Sequence, residues 1–196
     1  MAEPWLVAGL GNPGQEYAHT RHNAGALVVG RLCARLAVRL KKVRFVAVTA
    51  AEVTHQGVPL ILAVATTYMN ESGPPLASFA GKRDIPAHRL IAVHDEIDLP
   101  LGALRVKLGG STAGHHGLDS LVQALRTPDF YRIRLGVGRP PGRQDPIKYV
   151  LSPFGARQRD EAELMIEEAA DAALALPTAG LAEAQSRFNR NAPPAP

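Results

Sequence analysis

The stretch from Trp5 to Asn23 constrains the fold more than any other part of the chain. Trp5-Leu6-Val7-Ala8 is a short apolar run that reads as a buried strand. It feeds a glycine-rich turn, Gly9-Leu10-Gly11-Asn12-Pro13-Gly14. The polar pair His22-Asn23 follows, just ahead of an apolar helical pattern that starts near Ala24. Strand, turn, polar cluster and helix in that order suit an open α/β sheet, whose strand ends aim several loops at one crevice. Gly9-x-Gly11-x-x-Gly14 also matches the dinucleotide fingerprint. That fingerprint needs a helix opening inside the glycine run and an acid ~20 residues further on. Here Pro13 sits in the run, the helix waits until Ala24, and no Asp or Glu occurs between Glu16 and Glu52. A nucleotide-binding reading is therefore set aside.

Further along, Leu27, Val28, Leu32, Leu36 and Leu40 carry helical spacing over residues 24–40. Arg31, Arg35 and Arg39 fall four apart on one stripe of that helix, which reads first as a solvated face. Residues 45–53 and 58–64 are apolar and rich in β-branched side chains. Thr54-His55-Gln56-Gly57 between them predicts an antiparallel hairpin. Asn70 precedes a segment with Pro74 and Pro75, and capping that helix is its plainest role. Residues 90–93 form a short buried strand ending in His94-Asp95-Glu96-Ile97-Asp98. Residues 104–108 form another, with Arg105 and Lys107 facing outward. A second glycine-rich stretch, 109–117, opens a helix over 118–125, and residues 131–137 predict a strand with Arg132 and Arg134 on one face. Residues 138–146 read as a mobile loop. A helix with an acidic outer face, including Glu161, Glu168 and Asp171, runs over 156–176, and Pro177 is expected to break it.

Strands alternating with helices, with no repeat and no linker, argue for a single α/β domain over residues 1–188. It would be a twisted mixed sheet flanked by helices, with a disordered Pro-rich tail at 189–196. A chain of 196 residues is long enough to bury a real core. No run of 18 apolar residues predicts a membrane span, and the N-terminus carries no charged leader followed by an apolar stretch. The single cysteine, Cys33, can form no intrachain disulfide and sits in a helical apolar stretch. These features favour a cytoplasmic protein. The net charge of +4 allows a polyanionic partner without demanding one.

Strand ends deliver Asn12, Asn70 and Asp95, and a nearby loop delivers His22. A carboxylate beside an imidazole fixes its tautomer and favours its charged form, and such a histidine can take a proton from water. Two carboxamides can position a carbonyl and stabilise its developing oxyanion. That is equipment for acyl transfer or ester hydrolysis. No G-x-S-x-G elbow is present, and Ser72 and Ser111 suit cap or loop roles, so direct attack by water is the simpler chemistry. His94, His115, His116 and Asp95 match no standard zinc spacing, and no metal or cofactor is expected.

Taken together, these pieces resemble the bacterial peptidyl-tRNA hydrolase family. The resemblance rests on Gly9-Leu10-Gly11-Asn12-Pro13-Gly14, Tyr17, residues 20–25, 68–73 and 94–99, Gly114-His115-x-Gly117-Leu118, residues 134–140 and Tyr149-Val150-Leu151. These occur in the family's order up to about residue 155. The resemblance implies a metal-free monomer that needs no protein partner and cleaves the ester of peptidyl-tRNA. It implies His22 as general base with Asp95 orienting it, and Asn12 and Asn70 on the peptide backbone and scissile carbonyl. Tyr17, Tyr68 and Met69 would line the cleft, and Lys107 and Arg134 would clamp a tRNA phosphate. His116 stands where the family usually carries an Asn that helps hold substrate and water. Ser111, Thr112 and Ala113 dilute the family's glycine loop, and Val64-Ala65 replace a Lys-Pro pair.

Two alternatives stand beside this expectation: a non-catalytic RNA-binding relative of the same fold, and a small-molecule serine-type esterase. The first has no use for His22 and Asp95 together with Asn12 and Asn70. The second has no use for Lys107, Arg134 and the arginine stripe.

Overall fold

Trp5–Gly9 forms the central strand β1, and from Leu6 onward every residue in it is buried. Burial on both faces is what a parallel strand between two helical layers requires. The computed structural model describes residues 3–189. After β1 come helix α1 (Ala24–Arg35), strands β2 (Lys41–Lys42), β3 (Val48–His55) and β4 (Val58–Ala65), and helix α2 (Gly73–Lys82). Strands β5 (Leu90–Glu96) and β6 (Leu104–Leu108) precede helix α3 (His116–Leu125) and strand β7 (Tyr131–Gly136). Helices α4 (Pro146–Val150), α5 (Arg159–Ala179) and α6 (Leu181–Phe188) follow. The strands make one seven-stranded sheet in the order β2-β3-β4-β1-β5-β7-β6. Strands β4, β1, β5 and β7 run parallel, and β2, β3 and β6 are antiparallel to their neighbours. This is the mixed α/β sheet expected, and the hairpin β3–β4 is where the turn chemistry puts it.

Strand alternation splits the core into two layers. Val7, Leu62, Ile91, Val93 and Ile133 pack with Val28 and Leu32 of α1 and Met165, Ile166 and Ala169 of α5. Leu6, Ala8, Ile61, Leu90 and Ala92 pack on the other face with Leu76 and Phe79 of α2 and Leu118 and Leu121 of α3. Each fully buried leucine or phenylalanine contributes roughly 1.5–3 kcal/mol relative to exposure. Gly25 fixes where α1 enters. A Cβ there would lie 1.9 Å from the Val93 carbonyl oxygen, so only glycine lets the helix press against the end of β5. The adjoining backbone bonds, Leu10 N–H to Val93 O at 2.9 Å and Ala26 N–H to Leu10 O at 3.1 Å, lock that approach. The segment ahead of α1, which carries His22, is thereby pinned beside β5, which carries Asp95.

Several expectations are corrected. Helix α1 ends at Arg35, not near residue 40, because Ala37 takes a left-handed conformation with φ 53°. Pro177 does not break α5, which continues to Ala179. In the last turn a proline removes only one backbone bond, and Gly180, at φ 83°, is the stop. The stripe on α1 is not a simple solvated face. Arg31 pairs with Glu163 at 2.6 Å and with Glu167, and Arg35 pairs with Asp171 at 2.6 Å, so the acidic side of α5 neutralises it. Asn189, placed by the sequence in a disordered tail, instead bonds both backbone groups of Val106 on the outer edge of β6. The rest of that expected tail, 190–196, lies outside the described residues.

Candidate active site

The parallel strands β4, β1 and β5 end on one side of the sheet, and their loops enclose a cleft of about 510 Å³. Asn12, His22, Tyr68, Met69, Asn70, Asp95, His115 and His116 line it, with Pro146, Ile147, Val150 and Leu151 on the opposite wall. At its floor the Asp95 carboxylate, 3% exposed, accepts hydrogen bonds from two imidazoles. His22 Nδ1 lies 3.0 and 3.1 Å from its two oxygens, and His115 Nε2 lies 3.0 Å from Oδ1. An ionised carboxylate only accepts, so both nitrogens carry protons. His22 Nε2 is therefore left as the basic nitrogen. The tautomer of His115 is fixed from its other side too, because its Nδ1 accepts from Leu118 N–H at 3.3 Å and caps α3. Burial alone would raise the Asp95 carboxyl, but the charges and hydrogen bonds of His115 and His22 outweigh it. They hold the group well below the usual carboxylate range.

His94, next in the strand, points to the other face and is fully buried. Its Nδ1 donates to the Asp95 carbonyl at 2.7 Å, and its ring stands edge-on to His115 at 4.9 Å. Burial, reinforced by His115, pushes its basicity well below that of a free imidazole, so it is neutral. Asn12 is held on three sides. Its backbone N–H donates to Asn23 Oδ1 at 2.8 Å, Asn23 Nδ2 donates to its carbonyl at 2.9 Å, and its own Oδ1 accepts from Met69 N–H at 2.8 Å. With Oδ1 engaged, the Asn12 side chain offers the cleft its NH₂ group as a donor.

The sequence model of the Peptidyl-tRNA hydrolase family matches residues 6–195. The chain is 48% identical to the Peptidyl-tRNA hydrolase of Frankia casuarinae, over 95% of this chain and 94% of that one. It is 47% identical to that of Mycobacterium marinum, over 96% and 99%. The crystal structure of peptidyl-tRNA hydrolase from Acinetobacter baumannii superposes with a TM-score of 0.90 at 31% identity, covering 98% of this chain and 97% of that one. The chain belongs to the peptidyl-tRNA hydrolase family. It is an enzyme of the hydrolase class.

Against that family's expectations the structure brings His22, Asp95, Asn12, Asn70, Tyr68, Met69 and His116 to one cleft. Asn70 is exposed in a 3₁₀ turn, Met69–Glu71, and is not spent on a cap; Ser72 takes the N-cap position of α2. Met69 is buried, and its sulfur packs where a side chain on Gly117 would otherwise lie. Tyr17 does not line the cleft. It stands edge-on to Tyr68, with centroids 6.4 Å apart. Ser72, the nucleophile considered from sequence, is buried with its hydroxyl donated to the Met69 carbonyl at 2.7 Å. His22, Asp95 and His115 could meet one metal ion, but the atoms that would do so are joined by the hydrogen bonds described.

Lys107 and Arg134 lie outside the cleft, on β6 and β7. Arg134 donates to Glu96 Oε2 at 3.0 and 3.2 Å. Arg132, expected to share its outward face, is instead buried under the glycine-rich loop and donates to the Ser111 and Gly110 carbonyls. Burial first, then Arg134 and Arg132, lower the affinity of Lys107 for its proton, against the pull of Glu96. Lys107, Arg132 and Arg134 thus gather on this edge with one carboxylate, Glu96, paired to Arg134.

Sequence reasoning missed four supporting residues. His115 was weighed only as a metal ligand, although the Gly114-His115-x-Gly117 motif was the available signal. Asn23 and Glu96 were noted within the motifs but given no role. Arg21, buried, donates to the Tyr149, Ser152 and Pro153 carbonyls and to Gln158 Oε1, and stacks 4.1 Å over the Tyr149 ring. It ties the α4 wall of the cleft to the turn that carries His22.

Proposed function

We propose that the chain hydrolyses the ester between a peptidyl group and its tRNA by attack of a water molecule activated by His22. The observation that carries this reading is the His22–Asp95 pair opening into a cleft that also holds the amides of Asn12 and Asn70. His22 Nε2 takes a proton as water oxygen bonds to the ester carbonyl carbon. Negative charge then develops on the carbonyl oxygen, and the Asn12 NH₂ is the donor best prepared to meet it, because its oxygen is already engaged. Collapse breaks the bond to the ribose oxygen, and the imidazolium returns its proton to that leaving oxygen. Asp95 stays ionised throughout and stabilises the imidazolium.

Lys107 and Arg134 are assigned to a tRNA phosphate, a contact independent of sequence, as an enzyme serving many tRNAs requires. Glu96 holds Arg134 in place for that role. The chain is read as a cytoplasmic monomer acting without a protein partner, and among the described residues no helix is long and apolar enough to cross a membrane. The test is release of free tRNA from an N-acetyl-aminoacyl-tRNA by the purified protein. Lack of release, with tRNA still bound, would favour a binding role over this one.

A further inference from the structure

An exposed aromatic residue in a strained turn stands at the same end of the sheet as the cleft and is unused by the chemistry above. Phe45 is 82% exposed, more than any other large apolar side chain among the described residues, and its backbone is left-handed at φ 63°. That conformation is disfavoured for a residue with a side chain. The turn is nevertheless well built. Val43 and Val46 pack into the core, and Val43 N–H donates to Val48 O at 2.9 Å. Lys41, Lys42 and Arg44 precede Phe45 in sequence, all exposed, and the Arg44 guanidinium lies 4.5 Å from the ring centre. Among the described residues none of these three cations has an ion-pair partner, unlike Arg31 and Arg35. Lysines on the edge strand β2 would suffice to discourage edge pairing, but that role gives no reason for an outward phenylalanine in a strained conformation.

The register places this turn at the active-site end of the sheet. Val48, just after it, pairs with Ala65, the last residue of β4. Ala47 O accepts from Thr66 N–H at 2.8 Å, two residues before Tyr68. The turn therefore lies beside the segment that leads from β4 into Tyr68–Asn70. It lies on the β4 side of β1, whereas Lys107 and Arg134 lie beyond β5 on the opposite side. With RNA assigned to the β7–β6 side, the β4–β3–β2 side is the one left for the acyl arm.

We propose that Phe45, Lys41, Lys42 and Arg44 form a distal subsite for the peptide arm of the substrate, favouring acidic side chains. This rests on the hydrolase reading above. From β1 to β2 is three strand spacings, about 14 Å. An extended peptide covers that in about four residues, so the subsite meets the chain about four residues before the esterified one. Partly solvated charge pairs of this kind are individually weak. Their sum corresponds to a preference of about three- to tenfold in kcat/KM for acidic over basic peptides.

The test compares three substrates: N-acetyl-aminoacyl-tRNA, and hexapeptidyl-tRNAs carrying either Asp or Lys at the positions four and five residues before the ester. The variants are Phe45→Gly, which also relieves the backbone, and the triple change Lys41→Glu, Lys42→Glu, Arg44→Glu. The wild type should prefer the acidic hexapeptide through KM. The triple variant should reverse that preference, Phe45→Gly should raise KM for both hexapeptides, and both should cleave N-acetyl-aminoacyl-tRNA normally. Equal losses on the short and long substrates would mean that the turn touches RNA, and would overturn the proposal. So would wild-type kinetics on all three. A wild type that cleaves none of them would remove the hydrolase reading itself, a result distinct from either.

Discussion

Asp95→Asn tests the heart of the site without changing its shape. In the native protein Oδ1 accepts from both His22 Nδ1 and His115 Nε2, and Oδ2 accepts from His22 alone. If the new amide keeps its oxygen at the Oδ1 position, its NH₂ lies at the Oδ2 position, 3.1 Å from a nitrogen that carries a proton. If it flips, the NH₂ confronts both imidazole donors. His115 cannot relieve the conflict, because Leu118 N–H requires its Nδ1 as an acceptor. His22 can, by moving its proton from Nδ1 to Nε2. That protects the fold and removes the base. The expected loss is that of a general base, about 10²–10⁴-fold in kcat, or roughly 2.7–5.4 kcal/mol of barrier. Stability should change little, since lost charge-assisted bonds are offset by removal of a buried charge. The assay is kcat and KM on N-acetyl-aminoacyl-tRNA, paired with nitrogen NMR of the His22 ring. A variant within threefold of wild-type kcat, or one whose His22 Nε2 remains unprotonated at neutral pH while activity is lost, would refute this account of Asp95.

His22→Ala should lower turnover by about 10²–10⁴-fold with tRNA affinity nearly intact; unchanged turnover would remove the mechanism. Lys107→Ala and Arg134→Ala should weaken all tRNAs alike and flatten the salt dependence of binding, and wild-type affinity at every salt concentration would exclude the clamp. His94 is neutral when folded and Asp95 ionised when folded, so the unfolded chain takes up protons first, below pH about 6.5 for the imidazole and about 4 for the carboxyl. Stability should be full above pH 6.5 and fall with acid, His94 contributing up to about 1.4 kcal/mol per pH unit. His94→Gln should flatten the pH 5–6.5 limb in denaturant titrations, and a flat wild-type profile there would refute it.

The sheet and its layers were legible because their signals are local. A four-residue apolar run, a Gln-Gly turn between β-branched segments, and helical spacing at Val28 and Leu32 each state one element without reference to the rest. What escaped depended on distant partners. Nothing near Arg31 and Arg35 in sequence says that Glu163, Glu167 and Asp171 will lie against them, 130 or more residues later. The same blindness applies to Arg132 and Arg134. Strand alternation puts them on one face, but the loop folding back over Arg132 makes it a buried structural clamp, while Arg134 pairs with Glu96. Pro177 was misread for a different reason, since its cost depends on how many turns follow it, and a glycine three residues on had already set the helix end.

The site was legible as a set of chemical types more than as a geometry. Asn12, His22, Asn70 and Asp95 lie at strand ends or beside them, and an open parallel sheet converges such positions whatever the side chains are. Sequence alone does not reveal how each is oriented, and catalysis depends on that. The Asn12 oxygen is spent on Met69 N–H so that its NH₂ is free, and this requires Asn23 on one side and the 3₁₀ turn after β4 on the other. The Asp95 carboxylate holds His22 in one tautomer while His115, fixed by the first turn of α3, occupies the rest of its accepting capacity. Asn12, His22 and Asp95 are thus each oriented by a backbone N–H or a neighbour from a different element. The bases and donors can therefore be named from residue types, while their orienting partners emerge only once α1, the turn after β4 and α3 have closed around the end of β5.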